Sequence, residues 1–174
     1  AHLPMHDITW TGEFGALVIN EPSPLNEVLV AITAGGLSGG IVTWGDDLTK
    51  LKPERARLLA KLFPLIGQAA TPVDFYENKL AQIWNLRIQA PHDSWNVVGV
   101  FNWEDSVAEI HFTLESLGLS KSKCYLVHDF WTGEYLGTAQ DCVTLLNLPP
   151  RSVRLLGIRH LQEVPQLLGT DIHF

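Results

Sequence analysis

The stretch "WNVVGVFNWEDSVAEIHFTL", Trp95 to Leu114, carries the period that decides the fold. In its second half Ala108, Ile110, Phe112 and Leu114 fall on one side of an extended chain and Glu109, His111 and Thr113 on the other. Such alternation marks a half-buried antiparallel strand. The run "WNVVGVFNW" before it and "IWNLRIQ" (Ile83 to Gln89) are strand-like in the same way. Downstream follow "CYLVHDFW", "GEYLGT", "CVTLLNL", "SVRLLGIRHL" and "PQLLGTDIHF", separated by "TGE", "LPPR" and "QEVP" turns. Short strands at this spacing predict an antiparallel β-sandwich of about 100 residues.

Upstream the pattern differs. "ALVIN" (Ala16 to Asn20) and "GIVTW" (Gly40 to Trp44) are continuous apolar runs, as expected of strands covered on both faces. Between them "SPLNEVLVAITAGG" predicts a helix with Ser23 as N-cap, Pro24 at the first helical position and an end at Gly35-Gly36. A second helix is predicted from Pro53, with Ala56, Leu59, Leu62 and Phe63 on its apolar face and Pro64 beyond its end. This β-α-β-α order predicts parallel strands with helices outside. "GQAATPVD" reads as the linker, and the two parts are assigned to residues 1–70 and 71–174. The fold class expected is therefore α+β, without internal repeats.

Composition narrows the function classes. With 46% hydrophobic residues in 174 the chain can bury a core, and its formal charge of -7 leaves no basic surface for nucleic acid. The apolar run from Val28 to Trp44 is interrupted by two glycine pairs and is shorter than the roughly 20 residues of a membrane span. "AHLPMHDITW" lacks the order of a signal peptide. No membrane association is expected, and the compartment is left open. Cys124 and Cys142 are expected as buried thiols rather than a disulfide.

Candidate chemistry is confined to few residues. Asp46 and Asp47 end the second apolar strand, and Glu13 precedes the first, so a carboxylate pair across the strand ends is one reading. Glycosidase carboxylates stand about 5 to 9.5 Å apart on facing sides of a sugar. Adjacent residues of an extended chain point apart, so loop anchoring is the competing reading for the two aspartates. The seven histidines show no metal-ligand spacing, and "GGLSGG" lacks the lysine of a phosphate-binding loop. No metal or other cofactor is expected. Trp84, Trp95, Trp103 and Trp131 serve either core packing or sugar stacking, and Trp44 and Trp131 are the stacking candidates.

The order of these pieces resembles the C-terminal end of the alpha-galactosidase clan of glycoside hydrolases, families 27 and 36. The resemblance rests on "GALVINEPSPLNEVLVAITAGGLSGGIVTWGDDLTKLKPERARLLAKLFPLIG", then "TPVDFYENKLAQIWNLRI", "WNVVGVFNWED", "YLVHDFWTGEYLG" and "NLPPRSVRLLGIR". It implies that residues 1–70 are the last two β/α units of a (β/α)8 barrel and residues 71–174 its C-terminal sandwich. Asp46 and Asp47 would then lie at the barrel rim, where such active sites sit. It also implies that both catalytic aspartates belong to strands before this chain, so no residue here is catalytic. Glu13, Asp46 and Asp47 remain as cleft-rim candidates. "GEFG" puts Gly15 where the family's sugar-holding aspartate would stand. The implied partner is a carbohydrate, reached through a parent enzyme, or the sandwich acts as a non-catalytic binding module. Two open parallel strands also predict association, including with a second copy.

Overall fold

The structure, a computed structural model, describes residues 11–173. It begins with strand β1 (Glu13–Leu17), helix α1 (Leu25–Leu37), strand β2 (Ile41–Trp44) and helix α2 (Pro53–Ala60). Strands β1 and β2 pair in parallel, with Ala16 opposite Thr43 and Leu17 opposite Trp44. Eight further strands follow: β3 (Thr71–Pro72), β4 (Ile83–Ala90), β5 (Asp93–Asn102), β6 (Ala108–Thr113), β7 (Tyr125–Asp129), β8 (Tyr135–Ala139), β9 (Cys142–Leu148) and β10 (Ser152–His160). They form a six-stranded sheet in the order β3-β4-β5-β10-β7-β8 and a two-stranded sheet of β6 and β9.

The molecule is mostly a β-sandwich with few helices. One face of the large sheet packs Val98, Val100, Leu156 and Ile158 against Ile110, Phe112, Val143 and Leu145 of β6 and β9. The other face packs Leu86, Val97, Phe101 and Leu155 against Ala34 and Leu37 of α1. The opposite side of α1 places Val28 and Ile32 against Leu17, Leu59 and Leu62. Helix α1 is thus covered on two sides, which explains why "LNEVLVAITAGGL" has a single charged residue.

Several expectations change at residue level. Strand β1 starts three residues earlier than "ALVIN" and is covered on one face only, with Leu17 buried and Val18 54% exposed. Strand β2, expected to be buried, exposes Ile41 and Trp44 because no further strand among the described residues lies over it. Helix α1 continues through Gly35-Gly36 to Leu37, and Ser23 makes no side-chain cap because Pro24 occupies that position. The paired glycines after α1 answer a packing need: a Cβ on Gly40 would stand 2.0 Å from the Gly12 carbonyl oxygen, where Ile41 N donates at 3.0 Å. The linker is ordered, with Ala70 N donating to Leu37 O at 2.8 Å and Thr71–Pro72 paired on β4.

"PQLLGTDIHF" forms no strand in its described part. Residues 161–173 instead run as a strap beside β10, where the Arg159 guanidinium donates to Leu168 O at 3.2 Å and Gln166 Nε2 donates to His160 O at 2.9 Å. A strap held by side chains needs no ladder partner. Both cysteines are free, and Cys142 is exposed rather than buried because the solvent face of β9 carries it. No helix among the described residues is long and apolar enough to cross a membrane.

Candidate functional site

The C-terminal ends of β1 and β2 bring together the residues that carry charge. Asp46, just past β2, accepts the Ile19 backbone N–H at 2.6 Å and the Asn20 N–H at 3.3 Å through one oxygen. This carboxylate ties the two strand ends. Asp47 turns the other way and accepts from Thr49 Oγ1 at 2.6 Å and Thr49 N at 3.1 Å, capping the short 3-10 turn Leu48–Lys50. Lys50 Nζ lies 3.0 Å from its second oxygen. The Thr49 hydroxyl, then Lys50, holds the Asp47 carboxyl below the usual carboxylate range. It is an ionised turn anchor and a poor proton donor near neutral pH.

Glu13 stands at the opposite end of the sheet. It pairs with Ile41 at the start of β2, whereas Leu17 pairs with Trp44 at the finish. Those four residue steps span about 13 Å at about 3.3 Å per residue, and Asp46 lies further on. The separation exceeds the about 5 to 9.5 Å of a glycosidase pair. Glu13 and Asp46 are not brought together. Near the aspartates stands Glu21 instead, bonded to Lys52 Nζ at 2.7 Å, and that bond lowers the Glu21 carboxyl. The sequence offered no signal for this pair, whose members are far apart in the chain.

The two stacking candidates also find partners. The Trp44 ring packs edge-on against Phe63 with centroids 5.0 Å apart and remains 39% exposed. Trp131 lies between the halves: its indole N–H donates to Thr33 Oγ1 of α1 at 2.9 Å, and it packs edge-on against Phe130. A hydroxyl in the middle of an apolar helix, Thr33, was the available signal for that contact. Trp84, Trp95 and Trp103 are partly buried on the helix-facing side of the large sheet, with Trp84 and Trp103 both donating to Ala81 O.

The "DFWTGE" turn that presents Trp131 is built on Asp129. Its carboxylate is fully buried, accepts from Trp131 N at 2.9 Å and Thr132 N at 3.4 Å, and meets the Arg154 guanidinium. Burial pushes the Asp129 carboxyl up, against the pull of Arg154. No group of three or more metal-ligating side chains is assembled among the described residues, and His2 and His6 lie outside them.

Gly15, in the irregular start of the β1–β2 pairing, has φ +95°. That conformation strains any residue with a Cβ, so an aspartate would not sit there unstrained.

Comparison with known proteins places this geometry. Residues 80–158 match the model of the alpha galactosidase C-terminal beta sandwich domain. The match covers most of the sandwich, from β4 to β10. Among solved structures, a GH27 β-L-arabinopyranosidase from Geobacillus stearothermophilus aligns at TM-score 0.74 and 15% identity over 96% of this chain and 40% of its own. Alpha-galactosidase from Saccharomyces cerevisiae aligns at TM-score 0.70 and 11% identity over 92% of this chain and 50% of its own. Alpha-galactosidase I from Mortierella vinacea aligns at TM-score 0.67 and 18% identity over 86% of this chain and 39% of its own. The chain thus spans half or less of the length of these enzymes, and at these identities the likeness establishes fold. No curated protein sequence matches it. In fold this chain is similar to the C-terminal portion of alpha-galactosidase-like enzymes, and the structural alignment reaches beyond the sandwich into the β/α residues.

Proposed function

We propose that this chain is the C-terminal, non-catalytic part of an alpha-galactosidase-like glycoside hydrolase. Residues 1–70 supply the last two β/α units of a (β/α)8 barrel, and residues 71–174 are the sandwich that braces them. The observation that carries this reading is the one-sided burial of β1 and β2. Ala16, Val18, Ile41 and Thr43 form an exposed, mainly apolar face opposite the helices, where the interior of a barrel would lie. A buried parallel sheet needs both faces covered, and the edges of β1 and β2, unpaired among the described residues, invite further strands or a second copy of the chain.

The parent reaction would be hydrolysis of a terminal glycosidic bond. A carboxylic acid would protonate the leaving oxygen while a carboxylate stabilises the oxocarbenium-like centre. Both groups come from outside these residues in this reading. The distance between Glu13 and Asp46 and the local bonds of Asp47 support that placement. Asp46 and Asp47 shape the cleft rim by fixing the loops after β1 and β2. The engagement of Trp131 with Thr33 weighs against a free sugar-binding sandwich.

Release of nitrophenol from a panel of nitrophenyl glycosides by the purified 174-residue chain tests the reading. No turnover above a mock preparation is expected. Turnover that disappears in Glu13→Ala or Asp47→Ala would overturn it. Sedimentation of the same sample should show association that Val18→Asp weakens; a monomer at every concentration would remove the oligomer.

A further inference from the structure

The face of the large sheet beneath α1 contains two glycines that do different work. Gly99 on β5 lies where Leu37 of α1 enters, and a Cβ there would stand 2.6 Å from the leucine side chain. Its partner across the ladder, Leu155, completes a filled row. One row along, β10 offers Gly157, paired with Val97 on one side and His128 on the other. Among the described residues, a Cβ on Gly157 would meet nothing nearer than the Leu168 carbonyl at 3.7 Å and the His128 carbonyl at 3.9 Å, which is ordinary contact. None of these neighbours requires glycine here. Its backbone does not have positive φ either. Glycine in a central strand costs stability, and what this one provides is space.

That space is a cavity of about 320 Å³ between the sheet and the strap. Its floor is Val97, Leu155 and Gly157, Trp95 forms one wall, and Leu167 and Leu168 of the strap form the lip. The lining is mostly apolar. Among the described residues its polar side chains are His128, Arg159, Thr170 and His173, with no carboxylate. Arg159 is held rigid: its guanidinium lies over the Trp95 ring at 4.1 Å, bonds Asp93, and donates to Leu168 O. A mostly apolar concavity with a few fixed polar groups is the form of a small-molecule site.

We propose that this cavity binds a compact aromatic or alicyclic molecule bearing a hydrogen-bond acceptor, its ring over Gly157 and its acceptor toward Arg159 and His128. The site lies on the sandwich, is separate from the β1–β2 rim, and stands whether or not a parent hydrolase exists. The probe is 2-naphthoate, titrated against the full chain by its fluorescence and by calorimetry. Saturable 1:1 binding is expected, weakened at least tenfold in Gly157→Val while Val18→Asp, on the open β1 face, leaves it unchanged. Should valine at 157 prevent folding, Leu167→Trp plugs the cavity from the exposed strap and must give the same loss. Absence of saturable binding to the unaltered chain, or binding indifferent to both plugs, would overturn the proposal. So would a Gly157→Val chain that is more stable and still binds, since the space would then be only a packing void.

Discussion

In β10, Leu155 is buried against α1 and the next residue, Leu156, against β6 and β9. In β1, Leu17 is buried against α1 while Ala16, and Val18 just past the strand, face outward. Both strands are apolar runs of the kind that predicts cover on two sides. Among the described residues the sandwich strand finds both covers, and the β/α strand finds one. The difference teaches that an apolar pattern encodes how much burial a strand needs, while the rest of the molecule decides how much it receives. The halves also differ in what holds them. The sandwich has two packed layers of its own, whereas the β/α half leans on α1 and the Trp131 anchor.

The comparison breaks most sharply at Asp129. Asp129→Ala leaves Arg154 facing a buried site without its partner and removes the bonds to Trp131 N and Thr132 N. Losing one member of a buried pair costs about 3 to 5 kcal/mol, toward the lower end here because Arg154 retains some solvent. Urea unfolding should show the loss in the whole sandwich. A loss confined to the β/α half would mean that the turn serves docking alone.

Trp131→Ala should cost less, about 2 to 3 kcal/mol for a partly buried indole and its bond to Thr33. Hydrogen exchange locates the damage: amides of α1 and β1 should lose protection while those of β5 and β10 keep it. Uniform loss would show that the halves unfold as one unit. On the open face, Val18→Thr should change stability by no more than about 0.5 kcal/mol in a monomer. A larger loss together with a concentration-dependent midpoint would show that a second copy covers this face.

Legibility in the sequence follows the same division. Strands β4 to β10 lie within two residues of the alternating or apolar runs that predicted them, because each finds its ladder partner nearby. "PQLLGTDIHF" carries similar residues but has no partner strand among the described residues, and side chains of Arg159 and Gln166 hold it instead. The order β-α-β-α and the start of α2 at Pro53 were readable from local signals. Exposure of Ile41 and Val18 was not, since it depends on what lies across the sheet. At the candidate rim, loop anchoring was readable as an alternative for Asp46, but its partners Ile19 and Asn20 are 27 and 26 positions away in sequence. Glu13 illustrates the converse, since strand order alone does not tell which end of a shifted strand a carboxylate occupies.

The smallest effect expected is the pH dependence, which should have opposite signs in the two halves. Glu21 and Asp47 are held below their ordinary values by Lys52 and by the Thr49 hydroxyl, respectively. The unfolded chain therefore takes up protons first as pH falls, and their stabilisation, full above the usual carboxylate range near about 4, is lost below it. Asp129 is raised by burial, with Arg154 opposing, so the folded chain takes up the proton first. Its contribution is full below the ordinary range and is lost as pH rises through the raised value. Urea midpoints measured from about pH 3 to about pH 7 should therefore respond differently to two substitutions. Asp47→Asn should flatten the acid limb slightly, since the site is exposed and screened. Asp129→Asn should flatten the decline toward neutral pH. If Asp129→Asn instead steepens that decline, Arg154 outweighs burial, and the sandwich shares the electrostatic behaviour of the β/α rim.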